Sequence, residues 1–182
     1  MKRLAILAAA AIALAPAAAQ AQQPYAGFEA RSIKALSDQE IADLKAGRGM
    51  GLALAAELNG YPGPVHVLEL AEPLMLSEEQ RSRVQTLFEA MQAETVPLGE
   101  RLIEQEAELD RQFAGRTATE ASLAAATREI GLTRAALRAA HLRYHLATVA
   151  VLAPEQTERY AELRGYAGGA PGGQPHGGHP HR

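Results

Sequence analysis

The chain has 182 residues with 18 Lys and Arg against 21 Asp and Glu, a net charge of −3 that offers no basic surface for a phosphate backbone, so nucleic acid is not an expected partner. It contains no cysteine, which excludes disulfides, thiolate metal ligands and thiol catalysis. With no tryptophan and aromatic residues at 4 %, a core must be built from Ala, Leu and a few larger side chains, which suits thin layers of helices.

Met1-Lys2-Arg3 is followed by an apolar run of Ala, Leu and Ile and by small residues at Ala19-Gln20-Ala21. A basic start, an apolar middle and a small-residue end predict a signal peptide over residues 1–21, cleaved near Ala21, and a periplasmic mature chain. The run is short for a membrane span, and no other stretch approaches one, so no stable membrane insertion is expected. Removing Lys2 and Arg3 leaves 16 basic residues against 21 acidic ones, a charge of −5.

Residues 22–62 read as a lead-in with short helices. Gln22 to Ile33 carries no periodicity and is expected to be extended or mobile. Ser37-Asp38-Gln39-Glu40 is a capping box: the Ser hydroxyl accepts from the third helical N–H while Glu40 reaches back to the N–H of Ser37. The helix it opens should stop at Gly47. Gly47-Arg48-Gly49-Met50-Gly51 has the glycines of a phosphate loop but neither a preceding strand nor the Lys-Ser/Thr pair, so it reads as a turn. Leu52 to Leu58 predicts another short helix, and Gly60-Tyr61-Pro62-Gly63-Pro64 a rigid turn, with Pro64 opening the next helix.

Residues 63–166 read as a helical-hairpin domain. Leu76-Ser77-Glu78-Glu79-Gln80 is a second capping box, and Leu152-Ala153-Pro154-Glu155-Gln156 is a partial copy in which Ala153 lacks the capping hydroxyl. Between them, apolar residues recur at steps of three, four or seven. The first arm carries Val84, Leu87, Phe88, Met91, Thr95, Leu98, Leu102, Leu109 and Phe113; the second carries Leu123, Ile130, Leu137, Tyr144 and Val151. Gly115 ends the first arm, and Thr117 to Glu120 offers a capping box for the second. A link this short makes the arms antiparallel, and at 1.5 Å per residue each would be roughly 50 Å long. Pro97 predicts a bend between Ala93 and Gly99. Pairing Phe113 with Ala118 sets Glu104 near Arg128 and Glu94 near Arg138. A last helix after Gln156 should turn Tyr160 and Leu163 inward, and residues 167–182, rich in Gly, Pro and His, read as a disordered tail. The fold class is therefore all-α, an elongated antiparallel hairpin with short flanking helices. Two such chains could bury each other's apolar faces as a homodimer.

Two imidazoles, His141 and His145, stand one helical turn apart, a spacing that can chelate one ion. The hairpin register puts Met91 opposite His141. If the short helix carrying His66 folds across this end, His66, His141 and His145 with Glu69 or Met91 form a candidate site for Ni, Co, Cu or Zn. The competing reading is of two histidines making ordinary hydrogen bonds at a packed interface. Leu142 stands where the H-E-x-x-H metalloprotease motif needs Glu. In the tail, His176, His179 and His181 form at most a weak metal scavenger. No nucleophile elbow, glycine fingerprint or acid pair is visible, so no enzymatic activity is expected.

The two motif copies, Leu76, Ser77 and Gln80 with Leu152, Pro154 and Gln156, on a secreted cysteine-free hairpin, resemble the L-[ST]-x-x-Q signal of the Spy/CpxP family of periplasmic proteins. They are also similar to the related CnrX-like heavy-metal sensor and resistance proteins. The resemblance spans about residues 63–166 and implies a four-helix hook, often a cradle-shaped dimer, without catalysis. It implies one of two functions. The first is ATP-independent, chaperone-like binding of unfolded or envelope proteins, or of a membrane sensor partner, under stress. The alternative is a periplasmic Ni, Co, Cu or Zn sensor or resistance protein using histidines, for which His66 and the His141/His145 pair lie on corresponding helices. The second motif copy departs from the family pattern at Ala153, and the His pair lies on the later long helix.

Overall fold

Helix starts are set by side chains that satisfy the first unpaired backbone N–H groups. In the computed structural model, which describes residues 25–166, Ser37 and Glu40 form the expected box at the head of α1 (Asp38–Lys45). Ser77 and Gln80 form the box that opens α4 (Glu78–Ala114): the Gln80 N–H donates to Ser77 Oγ at 3.1 Å, and the Ser77 N–H donates to Gln80 Oε1 at 3.1 Å. Between them lie α2 (Leu54–Glu57) and α3 (Pro64–Glu69), the latter with Pro64 at its first turn. The second arm, α5 (Glu120–Val149), starts two residues later than expected: Thr119, not Thr117, caps it, with Ser122 completing the box. α6 (Pro154–Leu163) follows. The expected leader and tail, with His176, His179 and His181, lie outside the described residues.

The all-α hairpin is present: α4 and α5 run antiparallel along each other, joined through Gly115. α4 continues without interruption through Pro97. The apolar stripe falls short of the turn, where Phe113 is 58 % exposed because the arms outrun the elements that cover them. Leu163, expected inward, is also exposed, leaving Tyr160 as the buried residue of α6. The expected ion pairs are replaced by others. Arg143 reaches Glu94 at 2.8 Å, Arg101 reaches Glu129 at 3.2 Å, and Arg134 reaches Glu106 at 2.6 Å. Arginine side chains span more than one turn, so backbone register alone does not choose their partners.

Two apolar clusters hold the molecule. One joins Ile33, Leu36 and Leu44 of the lead-in to Leu102, Ile130 and Leu137 of the arms. The other joins Val67, Leu74, Leu76 and Val84 to Tyr160 at the end away from Gly115. At about 1.5 to 3 kcal/mol for each large apolar side chain buried, these clusters fix the lead-in against the hairpin. The segment from Ile33 is therefore anchored. α1 can lie on α4 because position 99 is glycine, where a Cβ would stand 2.9 Å from the Leu44 carbonyl carbon.

The two motif glutamines meet across the hairpin. Gln80 Nε2 donates to Gln156 Oε1 at 2.7 Å and to the Val151 carbonyl at 3.0 Å; Gln156 Nε2 donates to Gln80 Oε1 at 3.0 Å and to the Leu74 carbonyl at 3.2 Å. Each amide oxygen also accepts from the N–H at its own helix start, Ser77 or Ala153. Among the described residues, no helix is long and apolar enough to cross a membrane.

Candidate metal site

Between the two apolar clusters the core turns polar. His141 and His145 are both buried on α5, at 2 % and 8 % exposure, and Met91 is buried on α4. The Gly60–Pro64 turn brings α3 across this end, so His66 arrives on a third element. The Gly47–Gly51 turn supplies Met50 from a fourth. Together His66, Met91, His141, His145 and Met50 line one cavity of about 150 Å³. Four of the five residues expected from the sequence thus share a cavity. The fifth, Glu69, lines a neighbouring cavity with His66, Met50 and Met91. Its carboxylate is 3.0 Å from His66 Nδ1, so it orients that ring.

The two α5 histidines are held differently. His145 Nδ1 lies 2.6 Å from the Tyr61 carbonyl, which can only accept, so Nδ1 carries a proton and Nε2 is the nitrogen left to face another partner. In front of Nε2 sits Gly63, where a Cβ would come within 2.9 Å; glycine there leaves the nitrogen uncovered. His141 Nε2 is buried without a hydrogen-bond partner, an omission worth about 1 to 3 kcal/mol. Its Nδ1 faces Gly49. Burial, and secondarily the neighbouring His145, hold the His141 pKa below the ordinary imidazole value. A neutral imidazole is the form that binds metal.

Glu57, which no sequence motif marks, anchors the same region. It is buried at 8 % exposure. Its Oε1 accepts from the Tyr160 hydroxyl in a short hydrogen bond and from Tyr166 at 3.2 Å. Its Oε2 accepts from the Gly63 N–H at 3.2 Å and lies 3.7 Å from His145 Nδ1. Burial first, and then the bond to Glu57, push the Tyr160 pKa up, so Tyr160 stays a donor. Glu57 ties α2, α5 and α6 together. A lone Glu among alanines carries no periodic signal; the adjoining Pro-Gly-Pro turn was the cue that backbone converges there.

Among the described residues, no three His, Asp or Glu side chains are grouped to hold an ion. The imidazoles converge on the cavity, but the nearest carboxylates are spent on tyrosines and on His66. No protein-family model, curated protein or solved structure matches this chain. The likeness to Spy/CpxP and CnrX-like proteins therefore rests on the residues quoted above.

Proposed function

We propose that this chain is a non-enzymatic, exported helical-hairpin protein that binds a transition-metal ion in the cavity under α3. Of the two functions that the resemblance implies, the metal reading has the stronger support in the geometry. The observation that carries it is the convergence of His66, Met91, His141 and His145 from three helices onto one small cavity. The residues suit an ion chemically: His145 has its proton directed away from Nε2 by the Tyr61 carbonyl, and His141 Nε2 lacks any other partner. Export to the periplasm is supported by the leader pattern of residues 1–21. Titration of Ni, Co, Cu and Zn into the full chain, with His176, His179 and His181 changed to Ser, tests the proposal. Binding lost in His141→Ala is expected; equal affinity in both proteins would refute the site.

Client binding is the second reading. A shallow groove lined by Leu87, Ala147, Ala150 and Val151, with Ser82, Arg83 and Thr86 along it, lies where the two arms meet, and Leu146, nearby in sequence, is 58 % exposed. An unfolding segment or an envelope partner would cover such a surface. Aggregation of a denatured client at stoichiometric protein measures this activity, and unchanged aggregation removes it.

A further inference from the structure

We propose that the ion is soft and monovalent, Cu(I), and that Met50 and Met91 ligate it as thioethers beside His66 and His141. This rests on the metal reading above and names its substrate class.

The donor set carries the argument. Glu57 is occupied by two tyrosine hydroxyls and the Gly63 N–H, and Glu69 lies outside the cavity against His66. Glu57 also lines the cavity, but its oxygens are engaged by those partners, so the donors left for an ion are imidazole nitrogen and thioether sulfur. Imidazole alone suits Zn, Ni and Cu, and the addition of two neutral thioethers shifts the preference toward soft Cu(I). Charge argues the same way. Met91 and His141, the inner pair, are 5 % and 2 % exposed, while Met50 and His66 stand on the more open side. Desolvation energy scales with the square of the charge, so a monovalent ion there costs about a quarter of what a divalent one does.

Met50 supplies the second observation. It holds φ at +43°, beside Gly51 at +81°. A non-glycine residue in this region is strained by about 1 to 3 kcal/mol, and at 42 % exposure Met50 gains little from burial in return. Met75 and Arg116 also hold positive φ, and what sets Met50 apart from them is where it lies. It lines both the histidine cavity and the neighbouring one that contains His66 and Met91.

The test uses the full chain with His176, His179 and His181 changed to Ser, kept anaerobic. Cu(I) is partitioned against bicinchoninate, and Zn(II) and Ni(II) against a chromophoric chelator. Met50→Leu and Met91→Leu keep apolar volume, and Met75→Leu, at a residue 85 % exposed and outside the cavity, serves as control. Cu(I) affinity should fall at least about tenfold in either cavity variant, stay unchanged in Met75→Leu, and exceed that for Zn(II) and Ni(II). X-ray absorption of the loaded protein should show sulfur neighbours that diminish in both cavity variants. Cu(I) affinity unaffected by Met50→Leu and Met91→Leu, or equal loss for Zn(II), would overturn the thioether assignment while leaving a histidine site intact. If none of the three ions binds, the underlying metal reading fails as well.

Discussion

A Cβ added at Gly63 would stand 2.9 Å from both Cε1 and Nε2 of His145. The ring cannot retreat freely, because its other nitrogen is held 2.6 Å from the Tyr61 carbonyl, two residues before that glycine. Gly63→Ala therefore sets a methyl group against a clamped imidazole. A loss of about 1 to 3 kcal/mol is expected from overpacking, measurable as a lower urea midpoint at unchanged slope. The same variant should bind metal more weakly, since the added carbon covers Nε2.

Gly99 gives a second packing prediction, with opposing terms. Replacing a mid-helix glycine by alanine ordinarily gains about 1 kcal/mol in helix propensity. Here the new Cβ would meet the Leu44 carbonyl, with the carbonyl carbon 2.9 Å away, and backbone cannot swing aside as a long side chain can. Gly99→Ala should be net destabilising and should loosen α1, read as faster amide exchange in Asp38–Lys45 than at the Gly115 turn.

The paired glutamines predict non-additivity. Gln80→Ala costs Gln156 one donor and one acceptor bond in a half-buried setting while its bonds to the Leu74 carbonyl and the Ala153 N–H remain, and the converse holds for Gln80 with Val151 and Ser77. Each single change should cost about 1 to 3 kcal/mol. The double variant should cost less than their sum by at least about 0.5 kcal/mol, as residues in one hydrogen-bond network do. A double-mutant cycle in denaturant measures it, and strict additivity would show the amides to be energetically independent.

Acid should weaken the metal-free fold. His141 is held neutral by burial when folded, whereas an unfolded chain protonates it near pH ~6.5. The unfolded state then binds more protons, so stability is complete above that value and declines as pH falls toward the depressed folded pKa. The midpoint temperature should drop between about pH 7.5 and 5.5, and His141→Gln should flatten part of that slope.

Much of this architecture is legible in the sequence because helix starts are local chemistry. Ser37, Ser77 and the Thr117–Thr119 stretch announce three helices within two residues, and the three- and four-residue steps from Val84 to Leu109 select the face that is buried. The approach of Met91 to His141 is legible because a hairpin fixes which positions meet, whereas His66 joins them only because α3 folds across this end, a condition that the sequence leaves open. The role of Glu57 is hidden, since its partners Tyr160 and Tyr166 lie more than a hundred residues away and no spacing rule links them. The ion pairs are not legible, because long arginine side chains choose among several acids within reach. The exposure of Phe113 and Leu163 is not legible either, because periodicity gives a face but not whether anything covers it.

The clasp between Gln80 and Gln156 works although Ala153 has no hydroxyl, for the second glutamine still reaches its own Ala153 N–H and the opposite amide. The glutamine of each repeat, rather than its hydroxyl, therefore joins the two helix starts, and the place where α6 leaves the hairpin is set by amide and backbone groups alone.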